Sequence, residues 1–327
     1  FLTEPPAAVL LLLVAWMLYR VVRQRRPMVS ALVGGIALGL LALTKAVYFY
    51  FVPVLGLLAL VSLAFRSRRS AAAGALVIVL IAALASSVWI YRNHELFESN
   101  AIAGRDAHVL SIRAAFTTMT WPQYWAGYLA FTPKLGPKLI DLLGLNPASV
   151  AVYDRKNPRS LEAGGDKERD TGSDSSDGNR QQTRGQALTT LVEHWPMELA
   201  LVPLTIYRSA FLPVGSNSHH GEQGSWPMRM VRLLSLTLAT VIAMSMMPAF
   251  FLNVVVDLWR LNFARLAFHL PALYTVGVHS VLTHYIPRYN LPLFGVFAVE
   301  LCLAATFLWA LVARTGARRP QPAFDEP

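Results

Sequence analysis

The chain has 327 residues, 54% of them hydrophobic and only 15% charged, and a mean hydropathy of +0.43. That balance disfavours soluble domains and predicts a multispanning membrane protein. The net charge of +10 would suit nucleic acid in a soluble protein, but the arginines stand in short clusters beside apolar runs, a pattern of membrane orientation and anionic headgroups. The sequence shows no aromatic-basic single-strand platform and no zinc finger.

The chain opens on Phe1 rather than methionine, and an apolar run begins almost at once without a signal-peptide n-region. It therefore reads as the C-terminal part of a longer, N-terminally truncated chain. Runs of roughly 17 to 25 apolar residues predict spans at 5–22, 29–44, 48–65, 71–91, 229–256, 263–283 and 291–313. The clusters "RVVRQRR" (20–26) and "RSRR" (66–69), with Arg260, Arg265, Arg314, Arg318 and Arg319, then fall on one face. The positive-inside rule makes that face cytoplasmic. The expected layout is four transmembrane helices in residues 1–91, an extracytoplasmic segment over 92–228, three more helices over 229–313, and a cytoplasmic tail at 314–327. The one cysteine, Cys302, lies in an apolar run, so no disulfide framework exists.

Within the outer segment, residues 154–185 carry almost no apolar side chains, cannot offset their ordering entropy, and are expected to form a mobile, disordered insert. From 186 to 212, Leu188, Leu191, Val192, Trp195, Leu199 and Val202 recur at helical spacing opposite Glu193, His194 and Glu198. This predicts a helix lying in the membrane interface. An eighth span there would place two glutamates, a histidine and two prolines near the bilayer centre, which is costly.

Polar groups at outer span ends are where a membrane enzyme would meet a lipid-linked substrate. Lys45 leaves the junction between the second and third spans, where it could bind an anion or simply snorkel. In "HYIPRYNLPL" (284–293), Pro287 and Pro292 interrupt regular helix, Arg288 suits bidentate phosphate recognition, and Tyr285 and Tyr289 suit either sugar stacking or the ordinary aromatic belt. His284, Arg92 and Arg105 are weaker candidates, with Asn93, Asp106, His108 and Arg113 nearby; for Arg92, Asn93, Arg105, Asp106, His108 and Arg113 capping or loop packing is the favoured role. Glu4 starts the first span and fits helix-start chemistry. "SNSHHGEQG" lacks the HExxH spacing, and His279 and His284 fit no common zinc pattern, so no metal site is expected. A Gly-rich phosphate loop, a G-x-S-x-G elbow and a kinase signature set are all missing from the sequence, which disfavours nucleotide-dependent chemistry.

The order "FLTEPPAAVLLLLVAWMLYR", "LALTKAVYFYFVPVL", "VWIYRN" and "HYIPRYNLPL" resembles the polytopic GT-C glycosyltransferases. It is most similar to the bacterial dolichyl-phosphate-mannose-protein mannosyltransferase-like family, which includes the aminoarabinose lipid A transferases. "AGRDAHVLSIRAAFTTMTWPQYWAGYLAFTP" looks like the outer segment of a bacterial subgroup. The resemblance implies an all-α, GT-C-like transmembrane helix bundle in the inner membrane, C-terminus cytoplasmic. It implies transfer of a sugar, with inversion, from a polyprenyl-phosphate donor to a lipid, glycan or protein acceptor on the extracytoplasmic face. No cofactor and no nucleic-acid partner is implied. The family's catalytic acid would lie in an outer loop upstream of Phe1, while Lys45 and Arg288 match elements that would hold the lipid phosphate. Ala46 after the lysine and the acidic insert depart from the pattern, leaving donor sugar and acceptor open. The rivals are a lipid-linked saccharide transporter or flippase, which would need ionisable groups within the spans rather than at the outer edge, and an O-antigen polymerase or ligase.

Overall fold

The computed structural model describes residues 3–97, 106–132, 136–144, 177–210, 226–282 and 291–317. Among these every regular element is helical. α1 (Glu4–Val22) starts with Pro5 and Pro6, tolerated in a first turn whose N–H groups have no helical partner, and carries Glu4 at its start and Arg20 at its end, both favoured by the helix dipole. A tight turn with left-handed Gln24 and Arg26 leads into α2 (Pro27–Thr44). A short 3-10 helix, Ala46–Phe49, and α3 (Phe51–Leu63) follow, then α4 (Arg69–Phe97).

α2 packs between α1 and α4, and its small residues permit this. A Cβ on Gly35 would stand 2.7 Å from the Cβ of Ile81, and one on Gly39 would stand 2.8 Å from the Cβ of Ala85. The GxxxG spacing therefore lets two backbones approach where lipid supplies no hydrophobic drive for association.

Among the described residues five helices are long and apolar enough to cross a membrane: Glu4–Val22, Pro27–Thr44, Ala46–Leu63, Arg66–Leu96 and Leu291–Ala310. They match the first four expected spans and the last. The expected spans at 229–256 and 263–283 are helical too, as α10 (Trp226–Trp259) and α11 (Phe263–Leu282). The sequence of α10 is apolar over 233–256, which contains Pro248. α11 carries Arg265, His269 and His279 among its twenty residues, and it packs against α1 inside the bundle. The final helix, α12 (Phe294–Ala317), lies against α10 and α1.

Two contacts locate α11 within the bundle. Near its start, the Arg68 guanidinium from the α3–α4 turn covers the Phe263 ring at 3.3 Å. Further along, the Tyr274 hydroxyl donates to the Val47 carbonyl in the α2–α3 turn at 2.7 Å. At 1.5 Å per residue these points lie about 16 Å apart. α11 then continues past the turn, where the Thr205 hydroxyl donates to the Ser280 carbonyl at 3.1 Å.

That partner belongs to the middle segment, built from α5 (Asp106–Thr117), α6 (Trp121–Ala130), α7 (Gly136–Leu142), α8 (Asp177–Glu193) and α9 (Trp195–Ala210). Phe116, Met119, Tyr124, Met197, Leu201 and Leu204 form its own small core. Part of the expected insert, residues 177–185, is helical: α8 packs along α5, and the contact carries the helix into a polar stretch. Residues 154–176 lie outside the described ones. The expected interfacial helix is two helices, broken at His194 because Pro196 suits only a helix's first turn. Its apolar face is open: Leu188, Val192, Trp195 and Leu199 are all exposed. Glu198, expected on the solvent side, instead turns inward.

Candidate functional site

Two polar sites stand out, one at the α2–α3 turn and one inside the bundle. At the turn, Lys45 ends α2 in an extended conformation, so its side chain leaves the helix line. Its ammonium donates to Glu4 Oε1 at 2.8 Å, both side chains being partly exposed. Tyr48 beside it is buried and accepts from the Thr275 hydroxyl at 3.2 Å, while Tyr50 is exposed. The turn is thus fixed to α11 through Tyr48 and Val47, leaving one cation and an open aromatic face. Lys45 keeps 26% and Glu4 14% of its side-chain surface exposed, so the pair is neither fully buried nor a free surface pair.

Glu4 was legible only as a helix start; its pairing with Lys45 spans 41 positions and needs the fold. Arg92 stays on α4, stacked on the Trp89 ring at 4.9 Å and bonded to Asn93. Arg105, His284, Tyr285, Arg288 and Tyr289 lie outside the described residues. Arg113 is a packing residue: fully buried, it meets Glu198 in a bidentate pair, Nε to Oε2 at 2.9 Å and Nη2 to Oε1 at 2.8 Å. Nearby, Tyr124 and Tyr128 share a hydrogen bond of 2.9 Å, and burial, reinforced by that bond, holds the Tyr128 phenol well above its ordinary range.

The second site was not anticipated from the sequence. α10, α11 and α12 bring Asp257, His269 and Glu300 together, all buried. His269 Nε2 lies 3.0 Å from Asp257 Oδ2, which also receives Arg265 Nε at 2.9 Å. Arg265 Nη2 and Asn253 Nδ2 donate to Glu300 Oε2 at 2.9 and 2.7 Å. On its other side His269 Nδ1 faces Glu300 Oε1 at 3.6 Å, too far for a hydrogen bond, and neither atom has another partner. Phe250 and Phe268 flank the imidazole. His269 sits six residues beyond Phe263 and five before Tyr274, near the middle of the interval between the two turns. The expectation that ionisable groups gather only at the outer edge is therefore incorrect. Arg265, counted as a marker of the cytoplasmic face, spends its charge on two buried carboxylates. No group of His, Cys, Asp and Glu among the described residues is arranged to hold a metal ion.

No family model, no curated protein and no solved structure matches the chain.

Proposed function

We propose that the protein is an integral membrane glycosyltransferase that moves a sugar from a polyprenyl-phosphate donor to an acceptor at the extracytoplasmic face of the inner membrane. The observation carrying this reading is Lys45, a cation held by Glu4 at an irregular turn between two apolar helices, beside exposed and buried tyrosines. A lipid-linked donor keeps its phosphate at such a helix end. As the glycosidic bond to phosphate breaks, negative charge grows on the leaving oxygen, and a cation already in place stabilises it more than the ground state. The sequence resemblance supports the same role for Lys45 and adds Arg288, with Tyr285 and Tyr289 against the sugar.

The test is transfer of a labelled sugar from a polyprenyl-phosphate donor in membranes carrying the full-length protein. Lys45→Ala and Arg288→Ala are expected to abolish transfer while leaving protein levels intact. Normal transfer by both variants would remove the phosphate site and the reading with it.

A transporter of lipid-linked saccharides is the second reading, favoured by one observation: the Asp257, His269, Glu300 cluster buried among α10, α11 and α12. Ionisable groups within a membrane helix bundle are expensive and mark pathways and relays. Flipping of a labelled lipid in vesicles without transfer to any acceptor would decide for it.

A further inference from the structure

We propose that one end of the helix bundle is a binding surface for anionic phospholipid, its exposed arginines meeting the headgroup phosphates and its exposed apolar side chains reaching the acyl boundary. The inference rests on the apolar helices spanning a membrane and is independent of the glycosyltransferase reading.

Three turns come together at this end. Val21, near the close of α1, meets α4 at Gly74, where an added Cβ would stand 2.7 Å from Val21 Cγ1. That contact sets the α1–α2 turn beside the start of α4. Arg68 of the α3–α4 turn covers Phe263, the first residue of α11, at 3.3 Å, which adds the α10–α11 turn. The exposed arginines are Arg23, Arg25 and Arg26 at the first turn, Arg66 and Arg69 at the second, and Arg260 at the third. Among the described residues none of the six pairs with a carboxylate. Asp257, three positions before Arg260, is buried and taken up by Arg265 and His269. Like charges gathered without a counter-charge in the chain call for anions from outside it.

The backbone of these turns leads to the same place. The residues other than glycine with positive φ among the described ones are Gln24 (56°), Arg26 (49°) and Leu261 (52°), and all three lie here. A left-handed conformation costs a residue with a Cβ more than it costs glycine. The chain nonetheless sets a guanidinium at one such position and a leucine at another, so these turns present side chains as well as reversing the chain.

Apolar exposure then selects the kind of anion. Met28, Phe65, Trp259 and Leu261 stand among the arginines, each more than half exposed and Trp259 at 86%. A nucleic-acid backbone offers phosphate with no apolar matter beside it, whereas a phospholipid offers phosphate and acyl chain together. α1, α2, the 46–63 helix and α4, whose ends form two of the turns, are long and apolar enough to cross a bilayer, so those ends fall at headgroup depth. There a guanidinium takes phosphate through two parallel hydrogen bonds, while its stem and a neighbouring indole suit the apolar side of the boundary.

The test is lipid preference read at the surface itself. The full chain, with Cys302→Ser and a bimane label at Met28→Cys, is reconstituted in phosphatidylcholine vesicles, and quenching by brominated phosphatidylglycerol is compared with quenching by brominated phosphatidylcholine. One guanidinium at an anionic surface supplies about a fivefold preference, and the wild-type surface is expected to favour phosphatidylglycerol by at least that factor. The variant Arg25→Gln, Arg66→Gln, Arg260→Gln is expected to bind the two lipids nearly equally. Equal quenching in the wild-type surface overturns the proposal, as does a preference that survives the triple substitution. Should that variant fail to fold, salt decides: the preference must fall between about 0.1 and about 1 M sodium chloride, as the screening length shrinks from about 10 to about 3 Å, and a preference untouched by salt overturns it. Capture of a labelled oligonucleotide that phosphatidylglycerol does not displace would assign the surface to nucleic acid and overturn it too.

Discussion

The pairing of Arg113 with Glu198 joins α5 to α9 across 85 positions and ought to dominate the local stability of the middle segment. Arg113 is 1% exposed and Glu198 15%, and two short charge-assisted hydrogen bonds connect them. Glu198→Leu removes the carboxylate that faces a buried guanidinium, a change that costs about 3 to 5 kcal/mol. At 1.4 kcal/mol per decade this is roughly two to three and a half decades in the population of locally opened molecules. Amide hydrogen exchange along α9, around buried Leu201 and Leu204, reads that population directly. The double variant Arg113→Met with Glu198→Leu removes both charges and should regain most of the lost protection, since a buried pair and an apolar replacement of similar volume are often close in energy. An exchange rate within about fivefold of wild type for Glu198→Leu, equivalent to roughly 1 kcal/mol, would show that the arginine finds water or another acceptor and refute the reasoning.

Two further outcomes test the packing. Gly39→Leu drives a side chain into Ala85 and should destabilise the bundle by about 1 to 3 kcal/mol in thermal unfolding, whereas Gly56→Ala, whose nearest neighbour is the Val79 side chain at 3.5 Å, should leave stability unchanged or slightly raised. In a Cys302→Ser background, a spin label at Leu199→Cys should be more accessible to lipid-soluble oxygen than to an aqueous relaxation agent, with the reverse at Glu193→Cys; the same preference at both positions would contradict an interfacial α8–α9 face.

The apolar runs gave away most of the helical framework, because uninterrupted hydrophobic stretches of span length have few alternatives. Expected spans at 5–22 and 29–44 fall within two residues of helices Glu4–Val22 and Pro27–Thr44. The exposed line of Leu188, Val192, Trp195 and Leu199 was legible from its spacing. Pairings between helices were not. Glu198 sits on the polar side of its helix, and only the placement of α5 shows that this side meets Arg113. Asp257, His269 and Glu300 are spread over 43 positions, and each alone looks like an isolated polar residue within an apolar run. The signal that could have found them is their cost: a glutamate in the middle of "VFAVELCLAA" needs a partner, and an arginine and a histidine one turn apart on the preceding helix could supply it.

The connection between α7 and α8 joins two elements that are held independently of it, α7 by α6 and α8 by α5. Closing a chain between fixed points costs only about 0.6 kcal/mol for each doubling of its length. The docking of these helices is therefore set by the α6–α7 and α5–α8 contacts themselves.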